Sequence, residues 1–197
     1  MHSPPLSLNR LALARWVSIV AHPFVIALVL AGAVEPTRTP AAVARTVAVV
    51  ALLFVLPLAL LMRRQLRRGA WTTVDASRPR ERPILFAVGG AGLAALIAYL
   101  ARTRPGSPLV TGAVGVVLMV AFCAAMTPWV KVSLHMAAAA LAAAVLLARG
   151  LPLGWPLAAM LPALGWSRVA LGRHRWLEVM LGFLVGAGSG VAIAHVA

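Results

Sequence analysis

The sequence predicts an all-α protein: a polytopic bundle of six to seven transmembrane helices forming one integral-membrane domain over residues 1–197. Three observations carry that expectation. Hydrophobic residues make up 62% of the chain and charged ones 11%, whereas a soluble domain carries about 25% charged residues. Apolar runs approaching the roughly 20 residues that cross a bilayer recur along the whole length. No segment shows the period-two alternation of a strand. Disorder is excluded too, because disordered chains are poor in apolar residues.

The spans follow in order. Trp16 to Val34 comes first, behind Arg10 and Arg15, and its apolar run exceeds the roughly 7–15 residues of a signal-peptide core. Val43 to Met62 is the second, followed by an arginine-rich polar segment, Arg63 to Arg82. Ile84 to Ala101 and Leu109 to Met126 are the third and fourth, the latter stopped by Pro128. Val132 to Ala148 is mostly alanine, which suits a helix packed inside the bundle. Trp155 to Leu164 is short because Pro156 and Pro162 read as breakers. Trp176 to Val196 is last, and its Gly182-x3-Gly186-x3-Gly190 stripe predicts close packing on a neighbouring helix.

With seven spans the charges segregate. Thirteen of the eighteen basic residues fall on the face holding the N-terminus and the loops at 63–82, 127–131 and 167–175. Arg38, Arg45, Arg102, Arg104 and Arg149 fall on the other. Trp16, Trp71, Trp129, Trp166 and Trp176 lie near the basic side, as interfacial anchors would. Positive-charge counting puts that side in the cytoplasm of a cell membrane, here taken as a bacterial inner membrane.

Composition also limits the chemistry. The only acids are Glu35, Asp75, Glu81 and Glu178, and the only cysteine is Cys123. A carboxylate cage for a divalent cation and a cysteine-based zinc site are therefore not expected, nor is a cofactor. A net charge of +14 from seventeen arginines and one lysine points to anionic partners. In so apolar a chain these are bilayer lipids and a phosphorylated lipid rather than nucleic acid. Oligomeric state is left open.

Three clusters on the basic face carry candidate chemistry. The most informative is Ser167, Arg168, five residues, His174, three residues, Glu178. The four-residue spacing puts His174 and Glu178 on one face of a helix starting nearby. The carboxylate can then hold one imidazole nitrogen and leave the other free to attack, with Arg168 and Ser167 gripping phosphate oxygens. Next come Lys131, Ser133 and His135, with Ser133 expected to cap the fifth helix and His135 inside its first turn, where backbone N–H groups favour an anion. The third runs from Asp75 through Arg78 and Arg80 to Glu81, Arg82 and Pro83. His2 and His195 are terminal. His22, before Pro23, is expected to serve backbone or packing, and Cys123 to be a small core residue.

In order and spacing these clusters resemble the type 2 phosphatidic acid phosphatase (PAP2) superfamily. Ser167-Arg168-x5-His174-x3-Glu178 looks like its third signature, SR-x5-H-x3-D, with Glu for Asp. Val132-Ser133-Leu134-His135 resembles the second, PSGH, and Arg82-Pro83 the end of the first, K-x6-RP. The resemblance implies a PAP2-like core over about 71–197, preceded by the helices 16–34 and 43–62. It also implies metal-independent hydrolysis of a lipid phosphate or diphosphate: a polyprenyl diphosphate, phosphatidic acid or phosphatidylglycerol phosphate. His174 would be the nucleophile forming a phosphohistidine, Glu178 its orienter and His135 the acid for the leaving oxygen. Arg82, Ser133 and Arg168 would bind the phosphoryl group. Asp75 stands where the first signature has lysine, a cation that Arg78, Arg80 or Lys131 would replace, while Val132 and Leu134 stand for proline and glycine. The alternative reading is a non-catalytic transporter or lipid-phosphate binding protein retaining a degenerate site. A magnesium-dependent polyprenyl transferase fits less well, since Asp75 and Glu81 are too few for two aspartate-rich motifs.

Overall fold

The computed structural model describes residues 8–71, 73 and 78–197. Among them every regular element is helical. The first rod is α1 (Leu8–Val20) followed by α2 (Pro23–Ala33). The second is α3 (Pro40–Val50), a π-turn (Ala51–Val55) and α4 (Leu56–Arg67). Then come α5 (Arg82–Thr103), α6 (Pro108–Met126), α7 (Leu134–Ala148), α8 (Gly154–Ala170) and α9 (Trp176–Val196). Leu8–Ala33, Pro40–Arg67, α5, α6 and α9 are long and apolar enough to cross a membrane, so the chain is an integral membrane protein. The predicted seven segments are all present as helical rods, with α7 and α8 the shortest.

Prolines set the irregularities. Pro23 breaks the first span, and the His22 ring caps α2 by accepting the Phe24 N–H at 3.2 Å. Pro57 has no N–H for the Leu53 carbonyl, and the helix absorbs that loss in the π-turn just before it. The freed Leu53 carbonyl lies against Gly92 of α5, where a Cβ would come within 2.6 Å of it. The sixth segment is longer than the expected 155–164. Pro156 occupies the first turn of α8, where a missing N–H has no cost, and α8 carries Pro162 in its interior.

The closest helix pair is α7 on α9. Gly182, Gly186 and Gly190 face Ser133, Ala137 and Leu141, and a Cβ on Gly182 would stand 2.6 Å from the Ser133 carbonyl. The alanine run of α7 is buried against this stripe, so the expected small-residue contact forms between the last helix and the alanine helix. It sets the two N-termini side by side, and the Ser133 N–H donates to the Glu178 carbonyl at 3.1 Å. Trp71 departs from its expected interfacial place: it is buried with Leu58 and Leu85. Trp16, Trp129, Trp155 and Trp176 are exposed.

At the opposite end lies a buried polar knot. Glu35 is 2% exposed and takes an ion pair from Arg104 at 2.7 Å and a hydrogen bond from the Thr46 hydroxyl. Burial works to raise the Glu35 pKa, but its bonds to Thr46, Arg104 and Thr37 outweigh it and hold the carboxyl below its ordinary value.

Candidate active site

The three clusters, up to 100 residues apart in sequence, come together where α5, α7 and α9 begin. The α8–α9 connection explains the five-residue spacing between Arg168 and His174. Helix α8 ends in a Schellman turn: Gly172 sits at φ 64°, the Gly172 N–H donates to Val169, and the Arg173 N–H donates to Arg168. The left-handed step sends the chain back over the helix end, and the His174 N–H also donates to the Arg168 carbonyl at 3.2 Å.

His174 pairs with Glu178, Nδ1 to Oε2 at 2.8 Å. The cause differs from the expected shared helix face. His174 precedes α9, whose N-cap is Arg175, and Glu178 is the third helical residue. Its carboxylate folds back over the first turn and accepts the Arg175 N–H at 3.2 Å, which brings the same oxygen to the imidazole. Lys131 donates to the Arg173 carbonyl at 2.6 Å and places its ammonium 3.9 Å from that oxygen.

Arg82 and Arg168 are 2% and 1% exposed, which makes them the deepest cations of this end. Arg82 donates to the Val132 carbonyl at 3.1 Å, tying α5 to the entry of α7. Its Nε and Nη1 have no partner among the described residues. Arg168 donates to the Ser18 hydroxyl of α1 at 2.6 Å. Ser133 is the N-cap residue of α7, as expected, yet its hydroxyl does not cap; it is fully buried, and Oγ has no partner among the described residues. The Ser167 hydroxyl, expected to grip phosphate, donates to the Leu164 carbonyl of its own helix at 2.8 Å.

His135 is buried in the first turn of α7, where Arg168, His22, His174 and Arg173 act on it electrostatically. Its ring meets that of His22 edge-on, centroids 5.0 Å apart. His22 and Ser18 therefore belong to the surroundings of the site, on the helical rod that precedes the segment 71–197. Arg78 is exposed; its backbone N–H donates to the Glu81 carboxylate at 3.1 Å, and its carbonyl accepts from the Glu81 N–H at 3.0 Å. Asp75 lies outside the described residues.

No protein-family model matches this chain, and no curated protein or solved structure is significantly similar to it.

The electrostatics are one-sided. Burial, and then the charges of Arg168, Lys131 and Arg82, push His174 down to about 2, against a hydrogen bond to the Lys131 backbone. Burial lowers Lys131 too; Glu178 opposes this, and Arg82, Arg168 and Arg173 add to it. His174 is thus a neutral imidazole at neutral pH. The tautomer protonated at Nδ1, the nitrogen that faces the carboxylate, leaves the lone pair on Nε2. Among the described residues no group of three or more His, Cys, Asp or Glu side chains is arranged to hold a metal ion. The arrangement offers a neutral imidazole, a second imidazole, a buried hydroxyl and several cations near the Glu178 carboxylate.

Proposed function

We propose that this chain is a PAP2-like integral-membrane phosphatase that hydrolyses a lipid phosphate or diphosphate through a phosphohistidine, without a metal or cofactor. The observation that carries the reading is the buried Arg82 guanidinium, whose Nε and Nη1 have no hydrogen-bond partner among the described residues, as the buried Ser133 hydroxyl, one residue past the Val132 carbonyl that Arg82 binds, has none. Buried charge needs a counter-charge, and a phosphoryl group supplies one with oxygens suited to guanidinium forks. Phosphoryl transfer asks mainly for positioning and neutralisation, which fixed cations provide.

In this scheme the phosphoryl oxygens bind Arg82, Arg168 and the Ser133 hydroxyl. His174 Nε2 attacks phosphorus, the bond to the leaving oxygen breaks, and His135 gives that oxygen a proton. The negative charge of the bound substrate favours the proton on His135. Water, losing its proton to His135, then attacks the phosphohistidine and releases phosphate, restoring His174. Glu178 holds Nδ1–H throughout and steadies the positive ring of the intermediate. Counting positive charge assigns this face to the cytoplasm of a bacterial inner membrane, and a reporter fused after Ala197 would then read extracytoplasmic.

The test is phosphate release by the purified protein in EDTA from polyprenyl diphosphate, phosphatidic acid and phosphatidylglycerol phosphate. The expected result is turnover of at least one, abolished in His174→Ala. Turnover that survives His174→Ala overturns the mechanism. Binding without turnover in the wild type identifies a lipid-phosphate binding or transport protein instead.

A further inference from the structure

Two apolar cavities lie inside the bundle, of about 150 Å³ and 130 Å³. They abut along Ala27, Leu30, Phe54, Leu93, Val116 and Leu141, which line both, as the two halves of one apolar chamber. Helices α2, α4, α5, α6, α7, α9 and the α3–π-turn segment contribute its lining, and it is partly open to the outside. Its polar residues stand at its two ends. At one end are His22 and His135, the imidazole pair beside the buried arginines. At the other are Thr46, Arg104 and Arg149, with Tyr99 within two helical turns of Arg104; Arg104 and Thr46 bind Glu35.

We infer that this chamber holds one hydrocarbon chain of the substrate, entering at His22 and His135 and stopped by the Arg104–Glu35–Thr46 knot. The inference rests on the phosphatase reading for the identity of the headgroup. A chain placed here begins beside the cation cluster, so head and tail are bound by one continuous site. Apart from Tyr99, the residues lining the space between the ends are apolar, which suits a hydrocarbon. The knot forms a polar floor, since a methyl end pressed against a buried ion pair gains nothing and would have to displace charge. Its two halves are small, about 150 Å³ and 130 Å³, which favours one chain over the two of a diacyl lipid. Within the lipid phosphates this selects a polyprenyl or other single-chain tail.

Helix α2 supplies a ladder of depths. Pro23 and Phe24 line the chamber at the imidazole end, Ala27 lines both halves, and Ala31 lines only the half toward the floor. Ala27 and Ala31 are one helical turn apart, about 6 Å along the axis. A phenylalanine at either position plugs the chamber at a different depth.

The experiment uses the full chain in amphipol with decyl through eicosyl phosphate, and the corresponding alcohols, in wild type, Ala27→Phe and Ala31→Phe. Thermal stabilisation and phosphate release are read against chain length. In the wild type, stabilisation is expected to grow with length and then level off. The levelling point moves to shorter chains in Ala31→Phe, and in Ala27→Phe to chains shorter still by about 6 Å. Alcohols are expected to follow the same order with smaller stabilisation. Ala27→Leu and Ala31→Leu serve if a phenylalanine variant fails to fold. One levelling point shared by all variants, or stabilisation independent of length, overturns the inference. Length dependence without phosphate release leaves the chamber assigned and removes the phosphatase. Phosphate release with no shift in the variants removes the chamber and keeps the phosphatase.

Discussion

The Ser133 N–H donates to the Glu178 carbonyl at 3.1 Å, joining the entry of α7 to the first turn of α9. This bond is the backbone seam of the site. On one side of it stand Lys131 and His135, on the other His174 and Arg168, and the glycine stripe of α9 holds the two sides at this separation.

The seam should therefore fail with the stripe. A Cβ on Gly186 would collide with the Ala137 backbone, while one on Gly188 meets nothing within 4 Å. Gly186→Val is expected to cost about 2–3 kcal/mol through overpacking and to lower activity with it. Gly188→Ala is the control, with stability and turnover near wild type. Thermal unfolding in detergent checks both.

Glu178 should separate charge from reach. Glu178→Gln keeps the length to accept the Arg175 N–H but loses the charge facing His174, so turnover should fall about 10³-fold with the protein still folded. Glu178→Asp is one methylene shorter and retreats from both partners. Loss of the cap adds about 1 kcal/mol of destabilisation. Turnover and melting temperature, measured together, distinguish the two variants.

The pH dependence has a definite sign. His174 ionises near 6.5 when unfolded and at about 2 when folded, so between these values the unfolded chain binds more protons. Its contribution to stability is fully present above 6.5 and is lost progressively as pH falls toward 2. His174→Gln should flatten that part of the stability profile, as measured by unfolding at pH 4 and pH 7. A slope unchanged by the substitution would refute the assignment.

Arg82 should resist conservative exchange. Its guanidinium spans from the Val132 carbonyl toward unpartnered buried space, and a lysine cannot present that fork. Arg82→Lys is expected to weaken phosphate binding at least about tenfold while retaining most of the fold. Arg82→Ala also leaves the Val132 carbonyl without its donor, at about 1–3 kcal/mol. Phosphate titration by calorimetry on each variant reads the first effect, and thermal unfolding reads the second.

The spans were legible because hydropathy is a local property, and the segregation of arginines matches the two polar ends of the bundle. The small-residue stripes were legible for the same reason, since Gly182-x3-Gly186-x3-Gly190 and the alanines of α7 each form one surface. The length of α8 is only partly legible: the helix runs on through 165–170, where Trp166, Ser167 and Arg168 interrupt the apolar run without ending the helix. The partnership of His174 with Glu178 was expected through a shared helix face and is reached through a helix cap. Ser18 and His22 were missed as neighbours of the site. The Ser18–Arg168 bond crosses 150 residues, and no periodicity within either segment encodes it. A serine two residues into the apolar run and a histidine before a proline are the local signals.

The single oxygen Oε2 of Glu178 receives the Arg175 amide and faces the His174 ring, with the Lys131 ammonium close by. A sequence drifting at this position would lose helix initiation and imidazole alignment in one step. Neutral intermediates are thereby closed off, and a shift to a different reaction would have to begin elsewhere in the pocket.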